Sequence, residues 1–263
     1  MARDNSFILF GELDNAPIVL FNEESKTYRV TFTIMTLRKN GRKDYPRISI
    51  YGLSQEKAKQ YVAKLKPGSF VEVRGMVTTK MVKKPVKCGK CGQICMVNSF
   101  LSEIVSYGNP LVLQEKIDPV EIVDLSNNGT LIGVVCMNLR RMDKATSGAV
   151  AQFQVAVNRR QYVGEQGAEK RTDYPWIKVF GNVADECMKR LHKGSQVYVY
   201  GPYQTRDINK HIKCEHCGEE IIFAERVGEI APTGVEFLNE CLFDAKKDDA
   251  LRAVYEVESN EET

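Results

Sequence analysis

Apolar and polar positions alternate through most of this chain, which is the pattern of β-strands that bury one face. In the segment 174–180, Pro175, Ile177 and Val179 fall on one side of the predicted strand, and the segment 45–51 repeats the arrangement. Stretches of this kind recur along the chain. The pattern therefore predicts a protein built mainly of strands.

The predicted elements come in the same order twice. In each half, three strands precede one helix, and a long strand, a cysteine-containing turn and a last strand follow it. Apolar residues at helical spacing mark the helices, within 58–65 and 184–191. The leading strands are predicted over Phe7–Leu13, Tyr28–Thr36 and Tyr45–Tyr51, and again over Thr130–Leu139, Val150–Asn158 and Tyr174–Phe180.

Residues from the helices onward recur at a constant offset of 126 positions, as when Leu65, Gly68 and Val71 return as Leu191, Gly194 and Val197. A constant offset over about forty residues indicates that one folding unit was duplicated. Three strands, a helix and a two-stranded hairpin is the element order of a five-stranded OB barrel. The sequence predicts an all-β fold of two tandem OB barrels, each with one short helix and a zinc-knuckle hairpin.

Chain length fits this organisation, because 263 residues suffice for two domains that each bury a core. The predicted boundaries are 1–110 for the first OB domain, 111–128 for an ordered connector, 129–243 for the second OB domain and 244–263 for an acidic tail. The tail holds seven acidic and three basic side chains, which leaves +7 for the rest of a chain of formal net charge +3. This excess is a modest attraction for a polyanion.

Composition narrows the class of protein. The chain has no apolar run of about 20 residues and no secretory signal at its start, so a cytoplasmic, nucleoid-associated location is expected. A Ser/His/Asp set, a phosphate loop and a paired-carboxylate site are all missing from the sequence, which predicts a protein that is not an enzyme.

Two Cys-x-x-Cys-Gly motifs, at 88–92 and 214–218, carry metal-binding chemistry. Each knuckle supplies two thiolates and structural zinc takes four, so the simplest prediction is one zinc per chain shared by both repeats, with ligands Cys88, Cys91, Cys214 and Cys217. One alternative is a separate metal site in each repeat, completed by a second chain or by Cys95, His211 or His216. Another alternative is redox chemistry of the thiols. The other cysteines, Cys136, Cys187 and Cys241, lie on apolar patterns and are expected in the core.

The side of the third strand opposite its apolar residues is aromatic and basic in both repeats. Unpaired bases stack on aromatic rings and cations neutralise the phosphates between them, so this stripe predicts contact with single-stranded nucleic acid. Packing on a partner subunit is the alternative. The stripe comprises Tyr45, Arg47, Ser49 and Tyr51 in the first repeat and Tyr174, Trp176, Lys178 and Phe180 in the second.

Further candidate contacts flank the stripe, although each is also explained as an ordinary solvated residue. Arg38, Lys39, Arg159 and Arg160 end the second strands, and Lys80 and Arg206 occupy equivalent places on the fourth. The remaining candidates are Arg74, Lys83, Lys84, Tyr200 and Tyr203.

The segment from Gly129 to Val227 resembles the bacterial single-stranded DNA-binding protein family, most closely at Phe180-Gly181, Lys193–Val199 and Thr205-Arg206. The first repeat keeps the shorter stretches YPRISIYG, LKPGSFVEVRG and TTK. The resemblance implies non-sequence-specific binding and protection of single-stranded DNA in replication, recombination or repair. It also implies base stacking on Tyr174, Phe180, Tyr45 and Tyr51, and a homodimer, because relatives commonly assemble four barrels.

Two features depart from the family pattern. The knuckle cysteines are foreign to it, and the acidic tail lacks the terminal apolar residues through which relatives recruit replication and repair proteins. Two other functions stay open: a protein-interaction accessory factor of a primosome or conjugation system, and an RNA-binding OB protein.

Overall fold

The computed structural model describes residues 4–113, 117–118, 120–123, 126–142, 148–159 and 172–239. The first repeat contains β1 (Asp4–Leu13), β2 (Ile18–Asn22), β3 (Thr27–Leu37), β4 (Lys43–Asp44), β5 (Arg47–Leu53), α1 (Gln55–Lys64), β6 (Phe70–Lys87), β7 (Ile94–Ser106) and β8 (Leu111–Val112). The second contains β9 (Asn127–Val135), β10 (Arg140–Arg141), β11 (Val150–Asn158), β12 (Thr172–Asp173), β13 (Trp176–Phe180), α2 (Gly181–Arg190), β14 (Gln196–Gly201), β15 (Tyr203–Lys213), β16 (Glu220–Ile230) and β17 (Gly234–Asn239).

Each repeat closes a ring of strands in OB order. In the first, β1 pairs with β3, β3 with β5, β5 runs parallel to β7, and β7 and β1 both pair with β6. In the second, β9, β11, β13, β16 and β15 follow one another, and β14 closes the ring on β9. Only Pro202 separates β14 from β15, so the two form one long bent strand. The predicted all-β OB fold is confirmed, while the exact domain boundaries stay predictions.

The helices begin differently. At α1 the side chain of Ser54 accepts a hydrogen bond from the Lys57 amide, as expected of an N-cap. At α2 the capping position is taken by Phe180, whose side chain makes no capping hydrogen bond, and Asn182 lies inside the helix. No helix among the described residues is long and apolar enough to cross a membrane.

The repeats are joined edge to edge by β1 and β9, which pair antiparallel from Asp4 opposite Ile132 to Leu9 opposite Asn127. A six-stranded sheet, in the order β8, β6, β1, β9, β14, β17, therefore runs through both repeats. At its centre Phe7 faces Gly129, where an added Cβ would lie 2.0 Å from the Phe7 ring. Phe7 and Gly129 occupy equivalent positions of the two repeats. The Phe7 ring fills the space between them, so the other position is glycine.

Each repeat also inserts a buried aspartate into the other. Asp44 Oδ1 accepts the backbone N–H of Thr205 at 2.6 Å, and Asp173 Oδ1 accepts that of Thr79 at 2.7 Å. Arg38 and Arg159 are the respective counter-ions, at 2.5 and 2.6 Å. Buried charges are tolerated only when paired and hydrogen-bonded, so these two clusters fix the repeats in one arrangement.

Candidate nucleic-acid interface and metal centre

The alternation predicted for the third strands is confirmed. In the second repeat Pro175, Ile177 and Val179 are buried, while Tyr174 and Phe180 keep 41% and 46% of their surface exposed. Trp176 and Lys178 are half-buried on the same side. In the first repeat Pro46, Ile48 and Ile50 are buried, and Tyr45, Arg47 and Tyr51 are half-buried. Ser49 is the exception, since its hydroxyl is buried and donates to Glu103 at 2.6 Å.

An open groove of about 540 Å³ lies where the two repeats meet. The second repeat contributes Phe180, Lys178 and Arg206, with Lys178 Nζ 5.6 Å from the centre of the Phe180 ring. The first repeat contributes Arg38 and Arg42 from the loop before β4, and Lys43 from β4 itself. The groove thus combines an exposed ring with cations from both repeats.

Glu229 orders the basic side chains of this groove. Its carboxylate lies 3.2 Å from Arg206 and 3.6 Å from Lys178. Arg38 is held from the other side by Asp44 and also donates to the carbonyl oxygen of Thr205 at 3.3 Å. These contacts hold the cations beside the ring without neutralising all of them.

The equivalent face of the first repeat is closed by its own hydrogen bonds. The Tyr51 hydroxyl donates to Glu103 at 2.5 Å and accepts from Lys80 at 2.8 Å and Arg29 at 3.2 Å. The Arg29 and Lys80 cations also lie 5.3 and 5.4 Å from the ring centre. Arg47 points at the same carboxylate, 3.6 Å away. The predicted contacts Tyr51, Lys80 and Arg47 therefore all engage the Glu103 carboxylate.

Two pKa values reflect this network. Burial raises the pKa of Tyr51, and the neighbouring Glu103 carboxylate raises it further. For Glu103 itself burial opposes ionisation, but Lys80 and the hydroxyl donors outweigh it and lower the pKa. The carboxylate and the phenol thus stay in the protonation states that favour their mutual hydrogen bond.

Tyr45 lies at the contact between repeats. Its backbone N–H donates to the hydroxyl of Thr205 at 2.8 Å, and the guanidinium of Arg226 stands 4.7 Å from its ring centre. Arg226 is itself paired with Asp207 at 2.8 Å. One face of Tyr45 is therefore covered, whereas the equivalent Tyr174 is exposed.

Two predicted DNA contacts are corrected by the structure. Tyr203 is 1% exposed, its hydroxyl donates to the Ser102 carbonyl at 3.0 Å, and burial raises its pKa. Arg159 has 4% of its side chain exposed and holds Asp173 through two hydrogen bonds. Neither side chain reaches the surface that a strand would contact. Arg160, predicted beside it, lies outside the described residues.

A signal for these buried clusters was present in the sequence. The tripeptide Asp-Tyr-Pro occurs in both repeats, at 44–46 and at 173–175, and each aspartate has an arginine upstream in the preceding strand or loop. An aspartate that recurs beside predicted binding residues would repel phosphate. Its presence in both repeats is better explained as a buried partner for the upstream arginine.

Arg74 and Tyr200 lie on a different surface, the outer face of the six-stranded sheet. Arg74 is exposed and pairs with Glu72 at 2.5 Å. Tyr200 packs near Tyr198, with ring centres 6.0 Å apart, and lines a shallow trough with Ile8. This trough shares none of its lining with the Phe180 groove.

Beyond the barrels, the β6–β7 and β15–β16 hairpins extend side by side as two fingers. Buried Glu225 joins them, accepting from Lys84 at 2.8 Å and from Lys210 at 2.5 Å, with Ser99 as a further donor. Burial would raise the pKa of Glu225, but these donors lower it to about 2. Lys84 therefore contacts the other finger, whereas Lys83 is exposed.

The four knuckle cysteines meet at the finger tips. Cys88 Sγ lies 3.7 Å from Cys217 Sγ, Cys91 Sγ lies 3.6 Å from Cys214 Sγ, and all four sulfurs fall within 4.8 Å of one another. A tetrahedral zinc with Zn–S bonds of about 2.3 Å places its sulfurs about 3.8 Å apart, so the spacing fits one ion. The cluster takes two residues from each repeat, as predicted.

Backbone amides favour the thiolate at two of the four cysteines, Cys88 and Cys214. At Cys91 and Cys217, burial and neighbouring thiols outweigh the backbone amides and raise the pKa. Gly92 and Gly218 adopt φ of 73° and 71°, which favours glycine, and their amides donate to the carbonyl oxygens of Cys88 and Cys214. The backbone amide of His216 is the main cause that lowers the pKa of Cys214 to about 6, and the Cys91 amide similarly lowers the pKa of Cys88. Thiolates are the form that binds metal.

The other candidate ligands differ in their distance from the four sulfurs. His211 pairs with Glu220 at 2.9 Å, away from the sulfurs, while the Sγ of Cys95 lies 3.6 Å from that of Cys214. Cys187 is buried and Cys136 half-buried, and Cys241 lies outside the described residues.

Comparisons with known proteins agree with the fold. Residues 126–227 match the model of the single-strand binding protein family. Over 86 residues the chain is 34% identical to single-stranded DNA-binding protein 1 of Chlorobaculum tepidum. That match covers 32% of this chain and 53% of the relative, so the chain spans about half the length of the curated relative.

Solved structures match over more of the chain. The wild-type single-stranded DNA-binding protein of Thermus aquaticus superposes with a TM-score of 0.59 at 15% identity, over 92% of this chain and 97% of that one. A deletion mutant of the same protein gives 0.57 at 16%, over 93% and 98%. At these identities the likeness concerns the fold, and it extends over both repeats.

The resemblance inferred from the sequence is thus confirmed: this chain carries the single-strand binding protein family pattern in its second repeat and the OB fold of such proteins throughout. That family consists of DNA-binding proteins and not of enzymes, in agreement with the prediction that the protein is not an enzyme.

Proposed function

We propose that this protein binds single-stranded DNA without sequence preference and protects exposed strands during replication, recombination or repair. The observation that carries the proposal is the groove in which Phe180, 46% exposed, stands among Lys178, Arg206 and Arg38. A flat ring surrounded by cations suits an unpaired base with phosphates on either side.

The geometry suggests how a strand is held. A base stacks on Phe180 and the next bases extend toward Tyr174, while Lys178 of β13 and Arg206 of β15 contact phosphates. Stacking contributes about 1 to 3 kcal/mol per base and is tolerant of sequence, and phosphate contacts release counter-ions. Affinity should therefore fall steeply with salt and rise with oligonucleotide length.

The test is a titration with oligo-dT of increasing length at several salt concentrations, followed by fluorescence of Trp176, which lies between the two rings on the same strand face. Phe180→Ala should weaken binding by about 5- to 150-fold, which corresponds to the stacking energy of one base. Phe21→Ala, an exposed ring outside the groove, is the matched control and should bind like the wild type.

Three results of that titration would count against the proposal. Equal losses in Phe180→Ala and Phe21→Ala would remove the groove as the binding site. Tighter binding of matched RNA than of DNA would favour an RNA-binding OB protein. Unchanged fluorescence and no measurable affinity for either strand would favour the protein-interaction accessory factor.

We further propose that the cysteine cluster holds one structural zinc ion per chain, bound by Cys88, Cys91, Cys214 and Cys217. The support is the sulfur spacing and the contribution of two thiolates from each repeat. Metal analysis of the purified protein should give one zinc per chain, and Cys217→Ser should lower that content and the melting temperature. Two zinc ions per chain would instead indicate separate sites.

Assembly and location complete the proposal. The exposed outer face of the six-stranded sheet, with Ile8, Tyr198 and Tyr200, suits stacking of a second copy into a homodimer of four OB barrels. This assembly predicts that the wild type is a dimer and that Tyr200→Asp weakens the dimer. Light scattering of both proteins tests it. A DNA-coating protein acts where DNA is, in the cytoplasm with the nucleoid.

A further inference from the structure

A fifth thiol lies directly against the cysteine cluster. Cys95, in β7 of the first finger, is buried, and its thiol donates to Cys214 Sγ across 3.6 Å. Cys214 belongs to the second finger, so this contact joins the two repeats. The distance equals that between Cys91 and Cys214, although Cys95 stands outside the group of four sulfurs that lie within 4.8 Å of one another.

Packing does not require sulfur at this position. Cys95 pairs with Val86 across the first finger just as Ile221 pairs with Ile212 across the second, so Ile221 is its structural equivalent. Ile221 is buried in the same small cluster as Cys95. The fold thus accommodates an aliphatic side chain at the equivalent site, and the thiol of Cys95 is free to serve chemistry.

We propose that Cys95 and Cys214 form a reversible disulfide that hydrogen peroxide closes, and that closing it releases the metal ion. The part concerning the metal depends on the proposed zinc site, whereas the disulfide depends only on the two sulfurs. When four thiolates bind the ion, Cys95 is the neighbouring thiol that remains uncoordinated and able to attack an oxidised partner.

The chemistry balances with peroxide as the oxidant. The Cys214 thiolate attacks one peroxide oxygen, which forms a sulfenic acid and expels hydroxide. The Cys95 thiol then attacks the sulfenic sulfur, the S–S bond forms and water leaves. The expelled hydroxide takes up a proton from solvent, so that one thiolate, one thiol and one peroxide molecule yield one disulfide and two water molecules.

Little movement is needed for this bond. A disulfide has a sulfur separation of about 2.05 Å, so the two sulfurs must approach by about 1.5 Å, a distance that side-chain rotation can supply in part. The bond removes one of the four metal ligands, and structural zinc requires all four. It also leaves the fingers covalently linked when the ion is gone.

The experiment compares the zinc-loaded wild type with Cys95→Val, which imitates the aliphatic residue of the second repeat. Cys136→Ser, which removes a thiol outside the cluster, is the matched control. Zinc content is measured first, then zinc release into a chelating dye during peroxide treatment. Mass spectrometry of a non-reducing digest identifies the linked peptides.

The wild type and Cys136→Ser should yield a peptide that joins Cys95 to Cys214, release zinc, and rebind it after treatment with dithiothreitol and zinc. Cys95→Val should yield no such peptide and recover its zinc poorly, because sulfenic acid without a neighbouring thiol oxidises further. If Cys95→Val fails to fold, as circular dichroism would show, Cys95→Ser provides the same comparison.

Other results would contradict all or part of the proposal. Wild-type disulfides confined to Cys88–Cys91 or Cys214–Cys217, or reversible release in Cys95→Val at the wild-type rate, would overturn the proposal. If the purified protein holds no metal yet forms the Cys95–Cys214 link, the zinc site fails and the disulfide site stands.

Discussion

The two repeats share one scaffold but present different surfaces to a ligand. In the second repeat Phe180 and Tyr174 are exposed, and the acid beneath them, Glu229, pairs with two cations of the groove. In the first repeat the equivalent acid, Glu103, binds Tyr51 and Lys80 and closes the face. Duplication therefore preserved the buried carboxylate, and the ring above it decides the outcome, because a phenol can donate to the acid and a phenyl ring cannot.

A second difference lies beside these faces. Strand β2 of the first repeat is apolar and exposed from Ile18 to Phe21, and the backbone register places Ile18 and Val19 where the second repeat has Arg140 and Arg141. The basic strand adds positive charge near the groove, while the apolar one does not. Under the proposed function, we therefore expect the second repeat to provide the main DNA contact.

The largest expected effect concerns the clusters that join the repeats. Asp173→Ala leaves Arg159 buried without its partner and should lower the free energy of unfolding by about 3 to 5 kcal/mol. Asp44→Ala should cost less, because 21% of the Arg38 side chain is exposed and water can replace the carboxylate. Urea unfolding of both variants measures this, and equal losses would contradict the difference in burial.

The next prediction compares variants of the two faces in their stability and in their affinity for DNA. Tyr51→Ala should destabilise the protein more than Phe180→Ala, since it leaves Glu103, Lys80 and Arg29 without a shared partner. It should reduce the affinity for oligo-dT less than Phe180→Ala does. Thermal melts and binding titrations on the same preparations test both halves, and a greater loss of affinity in Tyr51→Ala would show that the first repeat opens to bind.

The fingers should show an acid-dependent stability. The folded-state pKa of Glu225 lies at about 2, below its ordinary value of 4.5, so its contribution is complete above pH 4.5 and is lost as the pH falls toward 2. Glu225→Gln should destabilise the protein by about 1 to 2 kcal/mol at neutral pH. The difference from the wild type should shrink below pH 4.5, and a constant difference between pH 6 and pH 2.5 would contradict the assignment.

The smallest expected effect concerns Tyr45 and its cover. Arg226→Ala removes the cation above the ring and should cost about 0.5 to 1 kcal/mol of stability. It should also expose Tyr45 as its equivalent Tyr174 is exposed, and so leave the affinity for oligo-dT nearly unchanged or slightly raised. A large loss of affinity would mean that Arg226 itself contacts phosphate.

Periodicity and the internal repeat predicted the fold, the inward residues of the third strands and the four cysteines that meet at the finger tips. The same reasoning placed Tyr203 and Arg159 on the binding surface, where they are not found. Strand alternation assigns a side to each residue but does not show what covers that side. Tyr203 is covered by the first repeat, through Phe7 and Ser102, and Arg159 is covered by its pairing with Asp173.

The sequence alone determined the duplicated OB order, the sheet faces and the spacing of each knuckle, because these depend on residues near one another along the chain. Only the tertiary structure decided which aromatic rings stay open, which arginines become buried counter-ions and that Cys95 meets Cys214. Each of these depends on tertiary contacts, some within one repeat and others between residues more than 100 positions apart in the chain, and local patterns carry no record of such contacts.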